Sequence, residues 1–408
     1  MTQRVSAQGI VKTIIGVGLI LLPLCFSPVP YLSFESPKVT FLYIWVEVLT
    51  TASILLWGKL NINRYTTRIL KVAFVFFIFA LISSIFGVDK LKSLSGNYYR
   101  RDGLVTLLHL LTLGLVIEKL WNPKWQDLLV KCLTLGSSLV SIFAILSFYF
   151  PKFTSFFGLF PWSGAVGSTF GQPNFMAGYL VVIFPLLWES RKGMRSVKSR
   201  LTISFLYLIQ IWAIYLSGSR AALAGIGIYT FWKLLIPYRI SIKSRIVIFI
   251  LVVATVLIIF KENYSDQFYR TGEPGKVNFE GRERIWRRVF LGALRKPILG
   301  WGWANVDYAY ESIDWPLKIN NDIYVDKAHF SALEVFATTG LLGATVYMIL
   351  LFLVIKTLYG SIFFWPLILY VFHSQTNITS IAQETIFWVL LGIAASGRLK
   401  KLGFGELD

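Results

Sequence analysis

Residues Gly281 to Asp307 read GRERIWRRVFLGALRKPILGWGWANVD, and this run sits inside a polar insert, Lys261–Phe330, that closes on VDKAHF at Val325–Phe330. On either side of the insert the chain is apolar over lengths that suit a bilayer-spanning helix, about twenty residues each. One large Arg-rich and Trp-rich loop, with His329 at its end, therefore projects from a membrane-like chain. That pattern points to chemistry on an anionic group at a membrane surface.

Composition agrees. The chain has 408 residues, of which 55% are hydrophobic, 16% aromatic and 15% charged, and its mean hydropathy is +0.63. Soluble domains carry about 25% charged residues. The net charge of +19 would indicate nucleic acid in a soluble protein. Here much of it lies in short loops beside apolar runs, where it orients a membrane protein, so nucleic acid is not an expected partner. Cys25 and Cys132 both lie in apolar runs, far apart, and form neither a disulfide framework nor a metal site.

Working outward from the insert gives about twelve spans, each near the length that a bilayer requires. They run Gly9–Phe26, Val39–Trp57, Leu70–Gly87, Leu104–Leu120, Leu128–Phe150, Pro173–Trp188, Leu201–Leu216, Ala221–Pro237, Ile246–Phe260, Leu333–Ile355, Ile362–Phe372 and Thr385–Ser396. The first has no small-residue cleavage site after it and reads as a retained helix. Basic residues cluster on alternate loops: Arg4/Lys12, Lys59/Arg64/Arg68/Lys71, Arg191/Lys192/Arg195/Lys198/Arg200, Arg239/Lys243/Arg245, Lys356 and Arg398/Lys400/Lys401. That side is cytoplasmic by the positive-inside rule, with both termini inside, and the insert faces out between spans nine and ten. Loops beyond about 60 residues escape the rule, so the insert's own charge is no objection. Val88–Gly103, Pro151–Pro173, Ser217–Arg220 and His373–Glu384 face out with it. No repeat period or soluble domain is visible. The expectation is one all-α membrane domain, 1–408, containing a catalytic insert at 261–330.

The insert's charges are ordered. Arg282, Arg284, Arg287, Arg288, Arg295 and Lys296 face one acid, Glu283, whereas Asp307, Glu311, Asp314, Asp322 and Asp326 face only Lys318. At 100° per residue, Ile285, Trp286, Val289 and Ala293 form one helix face. Arg284, Arg288 and Arg295 lie opposite, on a solvated or headgroup-facing side. Arg282 lies with Trp286, on the packed side, where an arginine needs an anionic partner or must snorkel out of the helix end. Arg220 ends the turn Ser217-Gly218-Ser219-Arg220 between two apolar runs. Small residues there allow close backbone approach, and the next helix N-terminus favours an anion; simple interfacial anchoring is the alternative.

His329 is one of three histidines, with His109 inside an apolar run and His373 at a span end. Asp326 as N-cap would start a helix on which His329 shares a face with Ala332, Leu333 and Phe336. A histidine on an apolar face is usually a satisfied core residue. Its place at the membrane re-entry of the insert favours a general base, the common role of imidazole near neutral pH. The runs Gly167–Asn174 and Pro297–Gly302 contain glycines without the spacing of a phosphate-binding fingerprint. HExxH, a nucleophile elbow and paired aspartates are absent from the sequence, so neither a metal nor another cofactor is implied.

Taken together, GSTFGQPNFMAGYL (167–180), LSGSR (216–220), GRERIW…PILGWGW (281–303) and DKAHF…TGLLG (326–343), with NYYRRDGL (97–104) upstream, resemble the O-antigen ligase and O-antigen polymerase superfamily of bacterial membrane glycosyltransferases. The resemblance implies a GT-C-like helical fold in the cytoplasmic membrane. It implies a polyprenyl (undecaprenyl) diphosphate-linked glycan donor, and transfer to a lipid or glycan acceptor hydroxyl without a metal. It marks Arg220, Arg282 and His329 as matching the family's functional residues. Arg100 and Arg101 join the two arginines as candidates for the donor diphosphate. Asp326, Asn174, Trp286, Gly300 and Gly302 are candidate supporting residues. The family often has Asn after the histidine, where this chain has Phe330, which puts acceptor choice in question.

The chemistry fits these residue types independently. A departing diphosphate needs charge stabilisation, which guanidinium supplies through fixed bidentate donors. The attacking hydroxyl needs a base within hydrogen-bond reach. One displacement at the anomeric carbon inverts configuration. Polymerisation and protein O-glycosylation belong to the same superfamily and stay open. So does a different class, a lipid-glycan flippase, which would favour mid-membrane ionisable residues and repeat symmetry. Glu47 is the main mid-span charge, readable as a pair inside the bundle.

Overall fold

A computed structural model describes residues 2–27, 34–56, 58, 60, 67–152, 166–192, 196–235, 282–313 and 325–399. The expected ninth span, 246–260, and the insert stretches 261–281 and 314–324 lie outside the described residues, as do Lys59, Arg64, Arg195, Arg239, Lys243, Arg245, Lys400 and Lys401.

Among the described residues all regular structure is helical. In order the helices are α1 (Thr2–Leu21), α2 (Glu35–Leu55), α3 (Arg68–Ile85), α4 (Lys90–Ser95), α5 (Leu104–Leu120), α6 (Gln126–Tyr149), α7 (Pro173–Lys192), α8 (Val197–Leu216), α9 (Arg220–Leu235), α10 (Arg282–Ala293), α11 (Val306–Glu311), α12 (Ser331–Leu358), α13 (Phe364–Ser374) and α14 (Ile381–Ala395). Six stretches are long and apolar enough to cross a membrane: Ala7–Leu24, Glu35–Leu55, Arg68–Ile85, Pro123–Tyr149, Val197–Leu216 and Ser331–Leu358. Every other expected run that is described is also helical, though shorter or less apolar. Helices are what hydrocarbon demands, because each backbone N–H and C=O must find its partner inside the segment.

The sides of these helices show which solvent they meet. On α2, Val39, Leu42, Val46 and Leu49 are buried, while Ile44, Val48, Ile54 and Leu55 are exposed. An apolar residue turned outward costs nothing against lipid. Glu47 shares that outward side. Its side chain is 68% exposed and lies 3.4 Å from His109 Nε2, and the His109 ring stacks on Tyr43. The expectation of a pair inside the bundle is thus corrected: the pair lies on its flank, because Glu47 follows the exposed stripe of Ile44 and Val48.

Helix α3 packs on α12, α5 on α14, α6 on α8, and α7 on both α8 and α13. At one end of the bundle Trp121 Nε1 donates to the Arg398 carbonyl at 3.0 Å, and Arg398 Nη1 donates back to the Trp121 carbonyl at 2.9 Å. At the other end the segments 88–103, 217–220 and 373–384 gather around the described part of the insert.

The insert has a small core of its own. Ile285, Val289 and Ala293, four apart on α10, are buried against Val306, Ala309 and Tyr310 and against Leu333 and Ala337 of α12. Full burial of a side chain such as Val289 is worth about 1.5–3 kcal/mol. Arg288, expected on a solvated side, instead lies 3.8 Å over the Tyr310 ring and donates to the Ile313 carbonyl at 2.9 Å. Helix α11 covers that side, which a helical wheel of α10 alone does not contain.

A break in α12 docks the insert. Gly340 has φ +66° and ψ −170°, which interrupts the helix. Such a break orphans backbone groups, and buried ones need new partners. The loop Pro297–Gly302 provides them. Trp301 N donates to Ala337 O at 3.0 Å, Gly302 N to Thr338 O at 3.0 Å, and Leu341 N to Pro297 O at 2.7 Å. A Cβ on Gly340 would meet the Ile298 carbonyl oxygen at 2.1 Å, and one on Gly300 would meet the Thr338 backbone at 2.5 Å. Gly300 thus lets two backbones touch, and a Cβ on Gly302 would crowd Asn305, Ser93 and Gly87.

Candidate functional site

His329 lies just before α12, in left-handed backbone at φ +56°. A non-glycine residue pays about 1–3 kcal/mol for such a conformation, and these residues concentrate at functional sites. The neighbouring contacts hold it there. Glu334, in the first turn of α12, reaches back to Lys327 Nζ at 2.5 Å and to the Ala328 amide at 3.3 Å. Lys327 also reaches Asp102 at 2.5 Å. The turn carrying His329 is thus fastened both to its own helix and to the 96–103 loop.

One sequence expectation is corrected here. The N-cap of α12 is Phe330, in extended backbone, and Asp326 does not start the helix. The carboxylate of Asp326, a candidate supporting residue, is engaged elsewhere: its Oδ2 accepts from Arg100 Nε at 2.6 Å. Among the described residues no hydrogen bond engages the His329 ring. Burial, then the positive charge of Arg282, depress its pKa from 6.5 to about 4, with Asp326 opposing. The ring is therefore neutral at physiological pH, as a general base must be before it accepts a proton.

Arg282 opens α10. Its Nη1 donates to the Thr376 carbonyl at 2.6 Å and its Nη2 to Asn377 Oδ1 at 2.9 Å. These are neutral acceptors, so the anionic partner expected for this residue is not a protein carboxylate among the described residues. The side chain is exposed rather than on the packed side where the helical angle places it, because it leaves the helix end toward 376–377; partial desolvation, then the charge of Arg220, push its pKa below the usual arginine value. Arg220 is the first residue of α9 and is exposed. Arg220 and Arg282 thus open two different helices with their positive charges close enough to act on one another.

Beside His329 opens a cavity of about 150 Å³. Arg100, Asp102, Lys327 and Glu334 line it with charged groups, and Leu107, Leu110, Leu350 and Phe387 with apolar ones. Asn377, which holds Arg282, also borders it, so the arginine pair and the cavity adjoin across one residue. Burial raises the Asp102 carboxyl, but Lys327, then Arg100, overcome this and hold it below the usual carboxylate range.

The structure thus brings His329, Arg282, Arg220 and Arg100 to one end of the bundle. It does not bring Arg101 into the cavity wall: its Nη1 donates to Thr40 Oγ1 at 2.6 Å, and the group lies over the Tyr43 ring. Asn174 is the second residue of α7, partly buried, and no hydrogen bond ties its side chain among the described residues. Trp286 packs edge-on against Phe330, which links α10 to the residue after the histidine. His373 is fully buried, with Gln383 Nε2 3.4 Å from its Nδ1, and takes no part in the cavity wall. Lys327, Asp102, Glu334 and Asn377 were missed. The first two lie inside DKAHF and NYYRRDGL, where their signal was available. Glu334 and Asn377 gave none, because each matters only through a fold contact.

Residues 205–348 match a family model described as O-antigen ligase. That range runs from α8 to the apolar half of α12 and includes Arg220, Arg282 and His329. No curated protein matches the chain.

Proposed function

We propose that this chain, a member of the O-antigen ligase superfamily by its residues 205–348, moves a glycan from a polyprenyl diphosphate carrier to an acceptor hydroxyl. The reaction takes place at the outer face of the bacterial cytoplasmic membrane, on a GT-C-like bundle of twelve spans whose large loop is extracytoplasmic. The observation that carries the reading is the juxtaposition of the Arg220–Arg282 pair with a neutral histidine, on either side of Asn377.

The roles follow from that geometry. Arg282 and Arg220 hold the diphosphate and take up charge as it leaves; a diphosphate between them replaces their mutual repulsion with attraction. His329 accepts the proton of the acceptor hydroxyl as it attacks the anomeric carbon. The C–O bond to the diphosphate breaks as the new glycosidic bond forms, with inversion. Arg100, expected to join the diphosphate site, is committed to Asp326 and acts as cavity wall. Fixed arginines do the electrostatic work that a metal does elsewhere. The test is reconstitution in liposomes with a polyprenyl-diphosphate glycan and candidate acceptors, scoring covalent transfer. A flippase would move the lipid-linked glycan between leaflets without forming a glycosidic bond.

A further inference from the structure

We propose that the cavity beside His329 is an acceptor site for an amphiphile with an uncharged, hydroxyl-bearing head and a hydrocarbon tail, and that it rejects phosphorylated heads. The proposal rests on the glycosyl-transfer reading above and adds the acceptor's chemical class.

Four carboxyl groups border the cavity, Glu35, Asp102, Glu334 and Glu384, against two cations, Arg100 and Lys327. Both cations are already engaged. Arg100 pairs with Asp326 at 2.6 Å, and Lys327 bridges Asp102 and Glu334 at 2.5 Å each. A phosphate entering here would meet carboxyls and no uncommitted positive charge, and a buried charge without a partner is strongly unfavourable. A hydroxyl meets the opposite situation. Glu35 is 3% exposed, its Oε2 accepts from the Ile381 amide at 2.8 Å, and its Oε1 has no hydrogen-bond partner among the described residues. A buried acceptor left unmatched favours a ligand that brings a donor, and a sugar hydroxyl is one.

The rest of the wall fixes the shape of the guest. Phe76, Trp303 and Tyr347 border it with aromatic rings, and Leu107, Leu110 and Leu350 with aliphatic side chains. A volume of about 150 Å³ takes a guest the size of one six-membered ring. One sugar ring or the first carbons of a chain fit such a space, with the remainder running out among the spans. The donor's diphosphate is kept at Arg220 and Arg282, so the two substrates are separated by charge as well as by place.

The test uses the full chain in phosphatidylcholine nanodiscs and reads binding by native mass spectrometry. The probes are dodecyl β-glucoside and its 6-phosphate. The neutral probe should bind at least 10-fold more tightly than the phosphate. Leu110→Trp, which puts a larger side chain in the cavity wall, should weaken the neutral probe by about 10-fold, and Glu35→Gln should narrow the preference. Equal or tighter binding of the phosphate, or neutral binding unaffected by Leu110→Trp, overturns the proposal. The wild-type comparison stands even if a variant fails to fold. Donor binding, and its loss in Arg282→Lys, is measured separately, so failure of the acceptor assignment is distinguishable from failure of the glycosyl-transfer reading.

Discussion

Arg100 Nε donates to Asp326 Oδ2 at 2.6 Å, joining the loop before α5 to the end of the insert. The bond spends the carboxylate that the sequence placed beside His329. Among the described residues no hydrogen bond engages the imidazole, which burial and then the charge of Arg282 keep neutral, and the bond makes Arg100 part of the fold.

Asp326→Asn should therefore act on stability before chemistry. It removes the ion pair of a largely buried guanidinium, at a cost of about 1–3 kcal/mol. The expected result is a lower melting temperature with kcat per folded molecule near normal. A normal melting temperature with a large drop in kcat would instead show Asp326 serving the histidine.

His329→Ala should lower transfer by about 10²–10⁴-fold, the usual worth of a positioned base, with donor affinity little changed. The wild-type profile of kcat/KM should lose activity as pH falls through about 4, where the free enzyme's imidazole is protonated. The sequence alone placed that limb near the ordinary histidine value of about 6.5. Bound diphosphate offsets the charge of Arg282, so the limb in kcat should lie at higher pH than that in kcat/KM. The sign for stability follows too. The folded pKa is depressed below the unfolded 6.5, so the unfolded chain binds the proton first; this contribution is full above 6.5 and declines as pH falls toward 4. A single limb near 6.5 in both parameters contradicts the burial of His329.

Arg282→Lys and Arg220→Lys should each cut transfer by about 10²-fold, the scale for losing one donor to developing charge. Lysine keeps the charge but loses the fork. At Arg282 the fork also spans the Thr376 carbonyl and Asn377 Oδ1, so that variant should bind donor less well than Arg220→Lys. Full activity in both, measured on monodisperse protein, removes the diphosphate assignment.

Gly340→Ala tests the dock between insert and bundle. The left-handed φ alone costs about 1–2 kcal/mol, and the new methyl would meet the Ile298 carbonyl. Thermal unfolding should start earlier, and transfer should fall because the Ser331–Thr339 segment carries the Glu334 clasp on the His329 turn. An unchanged melting temperature shows that the loop 297–302 does not depend on this break.

Sequence alone determined much of this protein. Hydropathy is a local property, so the apolar runs among the described residues read correctly as helices, and the wheel of α10 gave Ile285, Val289 and Ala293 as packed, though not the exposure of Arg282. Motif order picked out Arg220, Arg282 and His329, because each sits in a run whose residue types already demand an explanation. Tertiary structure decided what those residues touch. Asp326 three positions before a histidine looks like its partner; only the approach of Arg100 from 226 residues away claims it. Arg288 looks solvated until α11 folds over it, and Glu47 looks buried until the neighbours of α2 set its outer side. The cavity is least legible of all. Its carboxyls come from α2, α12, α14 and the loop before α5, and no periodicity connects residues that meet only when separate helices pack.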